Sequence, residues 1–296
     1  MSNNTYPYHI TTDSSCDLPP SYLSEPDFEV VSLTYDVNGK EYHNLLEGGV
    51  SAHDFCEMMR GGAVPKTSQI TPERWRKEFE PLLKAGRDVL HLGFSSGLSG
   101  STDAAVLAAK ELNAQYPDTK LIVVDSLAAS LGQGLFVHHV LNKRKEGASL
   151  GEAAEYAQSI VQNVCHYFTV EDLEYLHRGG RVSKASAILG GILGIKPVLH
   201  VDAAGHLIPI TKVRGRRKSL KELLDRMDAK LQGKPAPDCV FISNADCLPE
   251  AQKLADEVKT RFGAKEVLIH DIGPVITTHS GPGTMALFFM ADSRTE

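Results

Sequence analysis

Apolar and polar positions alternate along the first half of the chain in two rhythms. Short apolar runs, "YHITTDSS", "FEVVSLTYDVNGKEY", "DVLHLGF" and "KLIVVDS", read as strands. In the second of these, Asn38-Gly39 suits a tight reversal. Between the runs lie helix-like stretches. "SAHDFCEMMRGG" starts after Ser51, a fair N-cap with Asp54 three residues on. "TPERWRKEFEPLLKAG" has Thr71 to cap and Pro72 at the first helical position, and its helical reading weakens at Pro81. Ala104, Ala105, Ala108 and Leu112 share one face of a third helix, and "LFVHHVLNKRKEG" continues a fourth. This order predicts a mostly parallel sheet with flanking helices.

The pattern breaks near residues 145–150, where "KEGAS" ends one helix and Ser149 with Glu152 forms a capping-box pair for the next. From "CHYFTVED" onward strands come with hairpin-like spacing. "KPVLHVDAAGHLIPITKV" reads as two strands joined across Ala204-Gly205. An amphipathic helix follows, with Leu220, Leu223, Leu224, Met227 and Leu231 on one face, then strand "DCVFIS", helix "PEAQKLADEVKTRF" and strand "EVLIHD". The expected fold class is α/β with two lobes. Residues 1–148 form an N-terminal lobe with a mostly parallel sheet, and 149–296 a C-terminal lobe of mixed α/β (α+β) character. There is no internal repeat.

Composition narrows the function classes. A length of 296 residues suffices for two ordinary domains. A net charge of −6 argues against bulk nucleic-acid binding. The five cysteines are odd in number and include no CxxC, so neither a disulfide framework nor a zinc ribbon is expected, and no metal site. With no signal pattern at the N-terminus and no membrane-length apolar run, the chain reads as soluble and cytoplasmic.

The candidate chemistry sits in hydroxyl-rich loops. "GFSSGLSGST", residues 93–102, follows a strand and precedes a helix. It lacks the glycine spacing and the lysine of a P-loop. It also misses the GxSxG spacing of a nucleophile elbow, because Gly100 comes one place early. Anion recognition by hydroxyls and backbone N–H groups remains open, and so does an ordinary turn whose serines cap the next helix. "PKTSQITP", 65–72, is a second such loop. In "GPVITTHSGPGT", 273–284, His279 stands among Thr277, Thr278, Ser280 and a Gly-Pro-Gly turn, and serves either a ligand or the structure. "TDSSCDLP", 12–19, carries Asp13, whose carboxylate suits neighbouring loop groups better than a ligand.

Taken together, "TDSSCDLP", "KTSQ", "SSGLSGS", "VVDS", "EDLEYLHRGGRVSKASAILGGILGIKPVL" and "GPVITTHSGPGT" make the chain resemble the DegV family, bacterial fatty-acid-binding proteins that serve a fatty acid kinase. The stretches keep family order over nearly the whole chain. Ile70 departs from the family, which often has proline there. The resemblance implies two α/β lobes holding a long-chain fatty acid, with the acyl chain in a buried tunnel and the carboxyl group near its mouth. It implies carboxyl contacts from Thr67 and Ser99 with His279 beside them, and supporting roles for Ser68, Ser96, Gly97, Gly100 and Thr278. It further implies a separate partner kinase that phosphorylates the bound acid for phospholipid synthesis, no catalytic residue in this chain and no cofactor.

The chemistry agrees. Each buried methylene contributes roughly 0.8 kcal/mol, so the tail supplies most of the affinity. A buried carboxylate needs hydrogen bonds. Two hydroxyls and an imidazole can supply them without a Lys or Arg clamp; neither hydroxyl loop contains Arg, and the one Lys, Lys66, precedes the hydroxyls of "PKTSQITP". In "SAILGGILGIKPVL", Ile188, Leu189, Ile192 and Leu193 are candidates for the tunnel wall, although glycine-rich close packing explains the stretch equally. Arg178, Arg181, Arg214 and Arg216 head a basic group that is either a solvated face or a docking surface for an acidic partner. The rival reading is a small serine hydrolase (esterase) using Ser99 and His279.

Overall fold

The computed structural model describes residues 5–44, 49–183 and 194–296. Strands β1 (Tyr8–Asp13) and β2 (Phe28–Val31) begin a parallel sheet. β3 (Thr34–Val37), β4 (Lys40–His43) and β5 (Lys66–Ser68) form a small antiparallel sheet of their own. The Asn38-Gly39 reversal joins β3 to β4 with φ of 56° and 79°, the left-handed pair that a two-residue hairpin needs. β6 (Asp88–Gly93) and β7 (Leu121–Asp125) complete the parallel sheet in the order β2-β1-β6-β7. β5 is an addition to the sequence reading, which leaves 65–72 as a loop.

The second sheet has the order β10-β9-β8-β13-β11-β12, with β8 (Val164–Thr169), β9 (Ile195–Val201), β10 (Leu207–Arg214), β11 (Cys239–Asn244), β12 (Glu266–Asp271) and β13 (Met285–Met290). It is antiparallel except for β11 and β12. β9 and β10 pair across the Ala204-Gly205 turn as the sequence predicts.

Most helices also follow the sequence. Thr71 caps the helix Pro72–Lys84, which runs on through Pro81. Pro81 is exposed, so its ring meets solvent rather than packed core. Ala104, Ala105, Ala108 and Leu112 are buried on one face of the helix Ser101–Gln115. The helix Leu131–Lys145 packs against β8, β11 and β13 of the second sheet and against the loop after β1, so it stands between the sheets. The helix Leu150–Ile160, opened by the Ser149–Glu152 capping box, packs on Leu131–Lys145 and on β6 and β7. No helix among the described residues is long and apolar enough to cross a membrane.

Buried carboxylates fasten the loops at the strand ends. Asp13 accepts from the N–H groups of Ser15 and Phe94 and from the Gln133 amide. It therefore joins the loop after β1 to the loop after β6, the structural role its position suggests. Asp17 accepts from the Ser130 hydroxyl at 2.6 Å and from the Gly273 N–H at 3.0 Å. Burial pushes the Asp17 carboxyl from an ordinary 3.8 up to about 7. That shift makes stability fall as pH rises from about 4 to about 7. Buried imidazoles work in the opposite sense: burial lowers His91 to about 3 and His139 to about 4, so stability is lost as pH falls from 6.5 toward those values. Asp17→Asn removes the first contribution and leaves the second. Urea unfolding of the variant should show stability rising more steeply between pH 4 and 7 than in the parent. Parallel profiles would contradict this account of Asp17.

Candidate functional site

The strand order of the parallel sheet reverses at β1. β2 lies on one side of it and β6 on the other, which opens a crevice at the carboxyl ends of the strands. The loop after β6 is "GFSSGLSG", and it forms one wall of a cavity of about 540 Å³. The volume lies within the usual range for small-molecule sites. The other walls are β5, Ala129 and Ser130 just before the helix Leu131–Lys145, the helix Pro274–Ser280 and the inner face of the second sheet. On that face Phe168, Val201, Ala286 and Phe288 make an apolar floor. Polar groups gather at the loops: Thr67, Ser68, Gln69, Ser96, Ser99, Arg181, His279 and Ser280.

Two hydroxyls are oriented by what donates to them. Thr67 Oγ1 lies 2.9 Å from His279 Nε2. The Nδ1 of His279 is buried without a partner and packs on Gly179, where an added Cβ would sit 2.3 Å from it. A proton on Nδ1 would be an orphan donor. The favoured neutral tautomer therefore carries its proton on Nε2 and donates to Thr67, which leaves the Thr67 hydroxyl proton unclaimed. Burial holds His279 neutral, reinforced by the charges of Arg181 and Arg178, and pushes its pKa from 6.5 down to about 4.

Ser99 follows the same logic. Its Oγ accepts from the Ser101 N–H at 3.3 Å and lies 3.1 Å from the Ser101 hydroxyl. Ser101 Oγ in turn accepts from the Ile70 N–H at 3.1 Å. Either hydroxyl can donate in that pair, and where Ser101 donates the Ser99 proton is free for a ligand. Both Thr67 and Ser99 belong to the cavity wall.

The remaining predicted residues divide. Ser68, Ser96 and Gly100 line the cavity. Gly97 packs instead on the backbone of Ala204 and Gly205, which docks the loop on the β9–β10 turn. Thr278 donates to the Pro274 carbonyl inside its own helix. Ile188, Leu189, Ile192 and Leu193 lie outside the described residues.

The four arginines occupy different environments. Arg178 is exposed, with its guanidinium 5.0 Å from the Tyr175 ring centre, and Arg214 is exposed at the end of β10. Arg216 is held by Glu250 at 2.9 Å and by Glu171 at 3.7 Å. Arg181 lines the cavity, donating to the carbonyls of Leu98 and Gly179. The two hydroxyl loops contain no Arg, which is why they predict a mouth without one. A third segment, "RGGR", delivers a cation to the same cavity.

Sequence reasoning also passed over Ser280, whose buried Oγ has no partner and lines the cavity. Its place beside His279 was the available signal. The hydrolase alternative lacks its relay, since His279 Nε2 bonds Thr67 rather than Ser99, and Nδ1 meets Gly179 rather than a carboxylate.

A parallel sheet and a mixed sheet enclosing one amphipathic cavity, with hydroxyl, imidazole and guanidinium groups at one end, define an α/β ligand-binding protein. The chain belongs to the DegV family: the model described as "Uncharacterised protein, DegV family" matches residues 7–292. A DegV domain-containing protein of Clostridium perfringens is 38% identical over 285 residues, 96% of this chain and 98% of that one. A solved Thermus thermophilus DegV family protein, described as binding fatty acid, superposes with a TM-score of 0.85 at 30% identity, covering 96% of this chain and 99% of that one. A stearic acid-binding protein of Eubacterium ventriosum superposes at 0.87 with 25% identity, covering 96% and 98%.

Gly179 is the tightest constraint on the imidazole. Gly179→Ala should displace the ring and break its bond to Thr67, at a cost of about 1–3 kcal/mol. Thermal unfolding reads the loss, and an NMR titration of the His279 ring should show its pKa moving from about 4 back toward 6.5. An unchanged titration would mean that the ring does not depend on Gly179.

Proposed function

We propose that this protein binds a long-chain fatty acid and has no catalysis of its own. The carboxylate accepts from Thr67 and Ser99 and lies beside Arg181 and His279, and the acyl chain runs over Phe168, Ala286 and Phe288. The observation that carries this reading is the pair of hydroxyls, Thr67 and Ser99, on the wall of a cavity whose opposite wall is apolar. Arg181 supports it, because no acidic side chain pairs with it among the described residues and burial disfavours its unneutralised charge. The fatty-acid and stearic-acid descriptions of the two solved relatives point the same way.

Extraction of the purified protein should release a long-chain fatty acid detectable by mass spectrometry. Hydrogen bonds to a charged group contribute about 1.5–3 kcal/mol. Thr67→Val should therefore weaken fatty-acid binding roughly ten- to hundred-fold in a fluorescence competition assay, and Thr67→Ser should restore most of it. Equal affinity for the Val variant would sink this assignment of the carboxylate.

We further propose that the bound acid is presented to a fatty acid kinase, which forms an acyl phosphate for phospholipid synthesis in the cytoplasm. The five free cysteines fit that compartment. In this reading Arg178 and Arg214 face the partner, Arg181 serves the ligand, and Arg216 is structural. We place the boundary between the lobes just before β8, because the helix Leu150–Ile160 packs with the parallel sheet. The double variant Arg178→Glu/Arg214→Glu should lose at least ten-fold in acyl-phosphate formation with the kinase and keep its fatty-acid affinity. Turnover equal to the parent's would remove both arginines from the docking surface.

A further inference from the structure

The helix Pro274–Ser280, which brings His279 to the cavity, is seven residues long and is placed by what holds its ends. At one end His279 bonds Thr67. At the other, the first N–H groups have no partner within the helix and look outside it. The Gly273 N–H donates to Asp17 Oδ1 at 3.0 Å, and the Val275 N–H donates to Asn44 Oδ1 at 3.3 Å. A Cβ on Gly273 would fall 2.7 Å from Asp17 Oδ1, so the helix start rests directly on the carboxylate.

Asp17 ties a second wall to the first. Its Oδ2 accepts from the Ser130 hydroxyl, and Ser130 lines the cavity. Ser130 has φ of 53° and ψ of −147°, a backbone conformation that a non-glycine residue keeps only when its surroundings hold it there. Asp17 is 5% exposed. The charged groups facing it are Asp13 in its own loop and Asp271 at the end of β12, and both oppose a second negative charge. Burial keeps the neighbouring Cys16 thiol protonated. Among the described residues, the other groups at this point are Ser130, Ser243, Asn44 and the Gly273 N–H, none of which titrates. Burial first, then the two acidic neighbours, brings Asp17 to about 7. Ionised, it holds both donors by charge-assisted bonds, roughly twice as strong as neutral ones. A proton on Oδ2 would face the Ser130 hydroxyl, turn it toward Ser243 at 3.1 Å and leave the Gly273 N–H a weaker acceptor.

We propose that Asp17 is a positioning residue for the head group: its ionised carboxylate seats the helix bearing His279, so fatty-acid affinity rises as Asp17 ionises. The inference rests on the reading of the cavity as a fatty-acid site and adds regulation by pH to it. Asp17 acts from outside the cavity lining, through Gly273 and the helix. Direct repulsion between Asp17 and a bound carboxylate would act in the opposite direction, weakening binding as Asp17 ionises.

The test uses delipidated full-length protein and competition binding of octadecanoic acid between about pH 6 and pH 8, on either side of the Asp17 midpoint. The comparison is with Asp17→Asn, which keeps the shape of the side chain without its charge. The affinity of the parent relative to the variant should rise about five-fold across that range. The acid's own ionisation affects both proteins alike, so the ratio reads Asp17 alone. A merely structural role for Asp17 would lower the variant's affinity by the same factor at every pH. Should the variant fail to fold, ¹³C NMR of the Asp17 carboxyl in the parent gives a second reading: its titration midpoint, about 7 in the free protein, should move down when octadecanoic acid is bound. A constant ratio, or a midpoint that stays or moves up, overturns the inference and leaves the fatty-acid reading standing. If octadecanoic acid does not bind the parent at any pH in the range, both are wrong.

Discussion

The hydrogen bond between His279 and Thr67 joins positions 212 residues apart and sets the chemistry of the cavity mouth. The geometry around the ring favours the neutral imidazole with its proton on Nε2. A doubly protonated ring would point a second N–H at Gly179, where no acceptor stands. Burial, two nearby guanidinium groups and the close approach of Gly179 all favour the same neutral tautomer. The helix carrying His279 is itself held from outside. Asp17 accepts from Gly273, and Asn44 accepts from Val275 at 3.3 Å. The loop after β1 contributes nothing to the cavity lining, yet the site depends on it for position.

Where the chain reports its own structure, it does so through periodicity. Strands β1, β6, β7, β9, β10, β11 and β12 are apolar runs bounded by turn residues, and the sequence places each of them. The Ser149–Glu152 box and the Thr71 cap are local devices whose geometry depends on a few neighbouring residues. What escapes is short or contextual. β5 spans Lys66–Ser68, too few residues for a period to register, and it becomes a strand because β3 offers it an edge. β13 is the continuous apolar run "MALFFM" behind a Gly-Pro-Gly turn, and its central place in the second sheet is set by partners from distant segments.

The site is legible to the same degree. Thr67, Ser99 and His279 stand in loops whose composition draws attention, and the fold brings them to one cavity. Arg181 and Gly97 were assigned by residue type rather than by environment. Charge in a sequence reads as surface, and Arg181 belongs to the minority whose guanidinium is turned inward by backbone acceptors.

These environments balance the charge of the mouth. His279 stays uncharged, so Arg181 is the cation lining the cavity among the described residues. Two of its five N–H donors are engaged by Leu98 and Gly179, which fixes the guanidinium to the loop bearing Ser99 and leaves the others for a ligand. In the proposed reading, one carboxylate meets one tethered cation and two hydroxyl protons. Its arrival offsets the desolvation that Arg181 already bears, so head-group binding and the stability of the "GLSG" loop are linked. The apolar floor has no such polarity. The head group therefore fixes which end of an acyl chain enters first.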